Sequence, residues 1–119
     1  MTTAMVPYAD LVRRAWPVLL EAIRQRRTIS YSELAGRAGP PLTGRQVHRQ
    51  LLNPLAARCR RAGLPDLAAL VVRKDTGLPG AGWFDPTTAA DPEGHWADAL
   101  AACFDHPWPG KPYPTLLEA

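Results

Sequence analysis

Three side chains that can carry positive charge stand three and four residues apart in the segment LTGRQVHRQLLNP. They are Arg45, His48 and Arg49. Side chains at this spacing share one face of a helix, so the segment predicts a compact basic face. Guanidinium and imidazolium groups on such a face can donate hydrogen bonds to phosphate oxygens. The spacing therefore favours the binding of an anion, and the alternative interpretation is a solvated helix face.

Residue patterns typical of enzymes and metal sites are missing from the sequence. It contains no Ser-His-Asp arrangement, no pair of carboxylates on one helix face and no phosphate-binding loop. Several acidic residues and histidines are spread over the C-terminal part, but their spacing fits no metal site. They are Asp75, Asp85, Asp91, His95 and His106. We expect no cofactor, no metal and no enzymatic activity, unless Cys59 or Cys103 is a nucleophile.

The two cysteines, Cys59 and Cys103, are far apart in the sequence and lack the spacing of zinc ligands. A disulfide is compatible with the sequence, but two reduced thiols in a cytoplasmic protein are favoured. The longest apolar runs are shorter than the roughly 20 residues that a membrane span needs. The first predicted helix carries Arg13, Arg14 and Glu21, which is not typical of a signal peptide. We therefore expect a cytoplasmic protein with no membrane partner.

Charge is distributed unevenly along the 119 residues, although the net charge is only +3. Residues 1–74 carry 12 Arg and one Lys against four acidic residues, a net charge of +9. Residues 75–119 carry one Lys against seven acidic residues, a net charge of −6. A basic body favours an anionic partner such as nucleic acid. Two oppositely charged surfaces that attract each other would explain the same pattern.

The first elements of the chain are predicted from hydrophobic spacing and from capping residues. Apolar residues three and four apart predict a helix over residues 7–27, which Pro17 should kink or divide. Residues 28–29 form a short extended segment. Ser30 and Glu33 then have the spacing of a capping box, which predicts a second helix that ends at the Gly-Pro-Pro turn.

The basic face lies on a third short helix. Thr43 and Gln46 repeat the capping-box spacing and open this helix. Two short helices around a tight Gly-Pro turn are typical of a helix-turn-helix. Asn53 is predicted to cap a further helix over residues 54–62, with Pro54 at its first position.

The runs LAALVVRK and GWF are typical of β-strands, and the glycine-rich segment between them predicts a two-stranded wing. The wing positions singled out are Gly77, Leu78, Gly80, Gly82 and Trp83. The predicted fold is α+β and mainly helical: a winged helix-turn-helix over residues 1–84 and an acidic, Trp- and Pro-rich helical appendage over residues 85–119, packed as one globular unit. The larger aromatic residues are assigned to core packing of the appendage rather than to base stacking; they are Trp83, Trp96, Phe104 and Trp108.

Three segments in this order resemble one known family. TISYSELAGRAG resembles its S/T-Y-G-E-L-A segment, GRQVHRQLLNP its recognition helix A-R-A-V-G-R-A-L-x-x-N-P, and LVVRKDTGLPGAGWF its strand and wing. The family is that of the alkylguanine–DNA alkyltransferases and alkyltransferase-like proteins, and the resemblance covers about residues 28–84 of their DNA-binding domain. It implies a winged helix whose recognition helix lies in the minor groove of duplex DNA.

The resemblance also implies roles for individual side chains. An arginine at the position of Arg45 fills the space of an extruded base in that family, and a tyrosine at the position of Tyr31 crowds the adjacent phosphate. Base extrusion is costly, so an inserted side chain is needed to compensate for it. His48 replaces a small residue of the family's helix. It could contact a base or a phosphate, hinder approach to the groove, or be an ordinary surface histidine.

The chain departs from the family at the reactive site. The family's Pro-Cys-His-Arg motif falls on residues 67–70, which here are Leu-Ala-Ala-Leu. Without a thiolate at this position no alkyl group can be accepted. Cys59 is no substitute, because it lies on residues 55–66, a segment that the family lacks.

We expect a non-catalytic DNA-binding protein of DNA repair or defence, which uses its basic helix on duplex DNA, including modified or distorted duplexes. The side chains expected to contact DNA are Tyr31, Thr43, Arg45, Gln46, His48, Arg49, Arg73 and Lys74. The alternative is a protein-interaction module on a winged-helix scaffold, such as an inhibitor, an antitoxin-like partner or an accessory subunit. Such a module would contact its partner through residues 85–119.

Overall fold

The computed structural model describes residues 7–40, 42–44, 46–77 and 92–117, with the backbone alone for residues 92–95. Over these ranges the chain is mainly helical with a small parallel sheet, which confirms the predicted α+β, mainly helical class. The helices are α1 (Tyr8–Arg24), α2 (Tyr31–Ala38), α3 (Asn53–Ala62), α4 (Pro92–Asp105) and α5 (Pro114–Leu117). The strands are β1 (Ile29–Ser30) and β2 (Val71–Val72).

The central helix α1 runs uninterrupted through Pro17, so the predicted division at this residue is wrong. Pro17 is exposed, and the hydrogen bond that it cannot donate would go to the carbonyl of Arg13, which also lies on the exposed side. The opposite face of α1 supplies much of the core through Leu11, Val12, Ala15, Trp16, Val18, Leu19, Leu20, Ala22 and Ile23. Burial of this stripe stabilises the helix across the missing bond.

The end of α1 is a Schellman motif in which arginine takes the position usually held by glycine. The backbone N–H groups of Arg26 and Arg27 donate to carbonyls of the last helical turn, each at 3.0 Å. Arg26 has a φ of 50°, a left-handed conformation that costs a residue with a Cβ about 1 kcal/mol. Its guanidinium reaches α4, where it lies 5.2 Å from the ring centroid of Phe104 and 3.2 Å from the carboxylate of Asp105.

The start of α2 confirms the first predicted cap. The Oγ of Ser30 accepts a hydrogen bond from the backbone N–H of Glu33 at 3.1 Å. The carboxylate of Glu33 lies 3.5 Å from the guanidinium of Arg27 and 3.6 Å from that of Arg37. The cap therefore ends β1 and begins α2 at a single residue.

We predict that Ser30→Ala lowers the free energy of unfolding by about 1 kcal/mol, because one N–H of the first turn loses its acceptor. Urea denaturation followed by circular dichroism measures this loss. Ser32→Ala is the matched control, since Ser32 is an exposed residue within the same helix. Equal losses in the two variants would contradict the role of Ser30 as the cap.

The helical segment that carries His48 and Arg49 continues without a break into α3. This contradicts the prediction that a new helix begins at Asn53. A π-helical turn, His48–Leu52, passes directly into α3, and the N–H of Asn53 donates to the carbonyl of His48, five residues earlier. Pro54 accounts for the wider turn. It has no N–H to donate to the carbonyl of Gln50, and its ring would clash with that carbonyl in a regular α-helix. Asn53 is thus an interior helical residue with a φ of −60° and a ψ of −52°.

The two strands pair in parallel, with Ile29 opposite Val71 and Ser30 opposite Val72. The sequence predicted the whole run LAALVVRK as the first strand of a wing, which is wrong for Leu67–Leu70, because these residues form a 3₁₀ turn. The strand is limited to Val71–Val72, and its observed partner is β1. The second strand of that wing lies outside the described residues, so the wing stays a prediction. Parallel pairing brings the C-terminal ends of both strands to the same edge. The start of α2 and the residues after β2 are therefore neighbours.

The C-terminal segment is held to the body by the indole groups of three tryptophans. Trp96 donates to the carbonyl of Ala69 at 2.9 Å, and Trp16 of α1 donates to the carbonyl of Pro109 at 2.9 Å. Trp108 donates within the segment and meets Trp16 edge to face, with ring centroids 5.8 Å apart. Phe104 also packs against the core. The described aromatic residues of this segment face the protein's own interior.

Candidate nucleic-acid interface

The structure describes part of the site predicted from the sequence. The described positions are Tyr31, Thr43, Gln46, His48, Arg49, Arg73, Lys74 and Gly77. The positions outside the described residues are Arg45, Leu78, Gly80, Gly82 and Trp83. Their predicted roles, the base-replacing arginine above all, stay predictions.

Tyr31 and His48 come from different elements and meet at the surface. Their ring centroids are 6.1 Å apart and their planes lie at 80°, an edge-to-face arrangement. Both residues are half-buried, and Tyr31 also packs against the core. Such ring pairs contribute roughly 0.5–1.5 kcal/mol beyond the area they bury. The contact therefore fixes the start of α2 against the π-helical turn.

The segment between the two helices lies directly on the start of α2. A Cβ added to Gly44 would stand 3.6 Å from the Cα of Ser32. The Oγ1 of Thr43 accepts a hydrogen bond from the N–H of Gln46 at 3.3 Å, which confirms the second predicted cap. Thr43 and Gln46 are exposed. Their side chains are therefore open to solvent.

The residues after β2 lie at the same edge of the sheet as the start of α2. Because Ser30 is opposite Val72, the next residues in register are Tyr31 and Arg73. Arg73 is exposed and donates twice to Asp75, from Nε at 3.2 Å and from Nη2 at 2.9 Å. These bonds lower the pKa of the Asp75 carboxyl. An exposed ion pair of this kind adds little stability in water, so a phosphate could replace the carboxylate.

We call these residues the Tyr31 surface: Tyr31, Thr43, Gln46, His48, Arg49, Arg73 and Lys74. Arg49 follows His48 in the π-helical turn, Lys74 follows Arg73, and both are exposed. In the described part of the chain, no ion pair joins this surface to residues 92–117. Arg73 is paired with Asp75, and Arg26 of the body is paired with Asp105 of α4. Arg49 and Lys74 are exposed, and within the described residues neither forms an ion pair.

The turn at the family's reactive position is part of the core. Residues 67–70 form a 3₁₀ turn, in which Leu67, Ala69 and Leu70 are fully buried. The Oδ1 of Asp66 caps the turn by accepting the N–H of Ala68 at 3.0 Å. Helix α4 contacts the same turn through the Trp96 bond described above. Apolar side chains and a covering helix therefore occupy residues 67–70, the position that the resemblance assigns to the Pro-Cys-His-Arg motif.

Both cysteines are free thiols inside the protein, Cys59 on α3 and Cys103 on α4. Burial raises the pKa of Cys59 to about 11 and that of Cys103 to about 12. The Sγ of Cys103 donates to the carbonyl of Asp66 at 3.1 Å. A buried thiol that holds its proton is a poor nucleophile and a poor metal ligand.

Among the described residues, no group of three His, Cys, Asp or Glu residues is arranged to hold a metal ion. No helix within residues 7–40, 42–44, 46–77 and 92–117 combines the length and the apolar character that crossing a bilayer requires.

A cavity of about 290 Å³ lies between the ends of α1 and α4, and no pattern in the sequence predicts it. Its apolar walls are Leu20, Ile23, Phe104 and Trp108. The groups at its mouth that can carry positive charge are Arg24, Arg26 and His106. About 80 residues of chain separate its two sides. No local pattern joins residues so far apart.

The resemblance to the alkyltransferase family rests on three sequence segments, and two of them meet in the Tyr31–His48 contact. A comparison of the chain with models of protein families, with curated proteins and with solved structures finds no match.

Proposed function

We propose that the chain is a non-catalytic DNA-binding protein of the alkyltransferase-like, winged-helix type, whose Tyr31 surface contacts the phosphates of duplex DNA. The observation that carries this proposal is the Tyr31–His48 contact, with ring centroids 6.1 Å apart. It joins a tyrosine expected beside a phosphate to the helix expected in the groove. Exposed Arg49, Arg73 and Lys74 supply the positive charge that a phosphate backbone attracts.

The position of the described cations supports binding of the DNA phosphate backbone rather than of an isolated anion. Arg49 lies on the π-helical turn, whereas Arg73 and Lys74 follow β2, so two separate elements present charge. Together with Arg45 they favour on the order of four phosphate contacts. Contacts to several successive phosphates make the affinity strongly dependent on salt.

The test is a fluorescence-anisotropy titration of the full chain with a labelled duplex at several salt concentrations. We predict binding at low salt, with log K falling against log salt with a slope of about −3 to −4 for four contacts. The double variant Arg73→Gln/Lys74→Gln should make this slope shallower by about 2. Arg45→Ala should weaken binding as well.

The matched control is Arg60→Gln/Arg61→Gln, which removes the same charge from exposed positions at the far end of α3. Its slope should stay that of the unmodified chain. The proposal is wrong if no binding occurs at low salt, or if both double variants change the slope equally. Wild-type affinity in Arg45→Ala would contradict the assignment of the groove helix.

The protein-interaction alternative has less support from the structure. It would use residues 85–119, but Trp96, Phe104 and Trp108 pack against the chain's own core. A stable stoichiometric partner whose contacts map to this segment would still favour the alternative over DNA binding.

A further inference from the structure

The cavity between α1 and α4 combines aromatic walls with a cationic mouth. Phe104 and Trp108 line it from the C-terminal segment, and Leu20 and Ile23 line it from α1. The volume of about 290 Å³ lies just below the roughly 300–1,000 Å³ that small-molecule sites span. The cavity therefore suits a ligand of one or two rings, and its flat aromatic walls favour a planar one.

The groups at the mouth of the cavity define the charge of such a ligand. Arg24 is exposed, and among the described residues it forms no ion pair with a carboxylate. The nearby carboxylate of Glu21 is engaged by Arg37. Arg26 shares its guanidinium with the exposed carboxylate of Asp105 at 3.2 Å. An anionic group on the ligand would find Arg24 unoccupied and could compete for Arg26 in the planar geometry that guanidinium groups offer.

Contacts of His106 and Trp108 give this mouth a fixed shape. The ring centroids of His106 and Trp108 are 4.4 Å apart, and the Nε2 of His106 lies 3.1 Å from the hydroxyl of Tyr113. The indole of Trp108 is itself held by its bond to the carbonyl of Cys103 at 2.8 Å. The aromatic wall is therefore formed before a ligand arrives, and preformed walls reduce the entropy lost on binding.

The backbone of Arg26 is an independent sign that its side chain has a role. Its φ of 50° lies in the left-handed region, where glycine would close the Schellman motif without strain. The ion pair that this arginine makes with Asp105 is exposed, and such a pair adds little to stability. Strained positions of this kind cluster at ligand sites, which points to binding rather than to folding.

We infer that this cavity binds a small planar aromatic anion, with its ring against Trp108, Leu20 and Ile23 and its anionic group on Arg24 and Arg26. Two sources share this chemistry: a free aromatic carboxylate and a nucleoside monophosphate. The inference does not depend on the proposed DNA binding, because none of these residues belongs to the Tyr31 surface.

The test is an NMR titration of the ¹⁵N-labelled full chain with two anions, indole-3-acetate and uridine monophosphate. Each is paired with a neutral match, indole-3-acetamide and uridine. We predict saturable shifts at the Trp108 indole N–H and at the amides of Phe104 and His106 with at least one anion, and about tenfold weaker binding of its neutral match. The anion that binds more tightly identifies the source.

Two variants test the arginines, and one serves as the matched control. Arg24→Gln and Arg26→Gly should each weaken the anion about tenfold, and Arg26→Gly should leave the thermal midpoint unchanged or higher because it relieves the left-handed strain. Arg61→Gln removes one positive charge from an exposed position on α3, and this variant should bind the anion as the unmodified chain does. The inference is overturned if neither anion shifts these signals, if the neutral compounds bind equally well, or if all three variants behave alike.

Discussion

Replacement of Trp16 by alanine is expected to lower the free energy of unfolding by about 3–5 kcal/mol. Trp16 is 1% exposed at the centre of the core. Its ring meets Trp108 and Tyr113 edge to face, with centroids 5.8 and 6.5 Å apart, and its N–H donates to the carbonyl of Pro109. The substitution would leave a cavity and remove the donor to that carbonyl, so two unfavourable terms add.

Urea denaturation measures this loss, which is a large part of the roughly 5–15 kcal/mol that stabilises a typical domain. Hydrogen exchange should also show that the amides of His106 and Leu116, which are bonded in the native chain, lose protection first. Trp16→Phe is the control, since it keeps a ring and should lose less. A loss below about 1 kcal/mol for Trp16→Ala would contradict the central role of this residue.

The loss of Trp16 also bears on function. Trp108 lines the α1–α4 cavity and rests against Trp16, whereas Tyr31 and His48 contact each other. We therefore expect binding of the aromatic anion to be more sensitive to Trp16→Ala than binding of DNA. The C-terminal segment is a structural part of the cavity, whatever partner the Tyr31 surface has.

Local signals in the sequence predicted local structure well. The caps at Ser30 and Thr43 were found because each depends on a side chain and an N–H three residues away. The Asn53-Pro54 pair was misread because the same two residues suit a helix start and a π-helical turn. A row of apolar residues at helical spacing continues past Pro54 and distinguishes the two interpretations. Its buried members are Val47, Leu51, Leu52, Leu55, Ala56 and Cys59. Unbroken spacing of these residues favours one helix.

Non-local features were beyond a reading of the sequence. Pairing of β1 with β2 joins residues 42 positions apart, and the cavity joins α1 to α4. Tyr31 and His48 were each singled out, one from a resemblance and the other from helical spacing, but neither signal contains their contact. Such contacts depend on how helices pack, which the order of residues along one element does not determine.

The second large effect expected is a loss of stability at alkaline pH, caused by Cys59 and Cys103. Burial raises their pKa values to about 11 and about 12, whereas an unfolded thiol titrates near 8.5 to 9. Below pH 8 both states hold the protons, so stability is unaffected. Above pH 9 the unfolded chain releases them and the folded chain retains them, so stability falls as pH rises.

The slope follows from this difference in bound protons. Each thiol contributes up to about 1.4 kcal/mol per pH unit, so the two together should remove about 2 kcal/mol between pH 9 and pH 10. Tyr8, whose pKa burial raises to about 12, begins to add to the loss as the pH approaches 10 and adds most of its share above it. Urea denaturation at half-unit pH intervals measures the slope. Cys59→Ala/Cys103→Ala is less stable at neutral pH because it leaves small cavities, but its stability should be nearly constant from pH 8 to pH 10. A variant as sensitive to alkali as the unmodified chain would show that other groups, not the buried thiols, cause the loss.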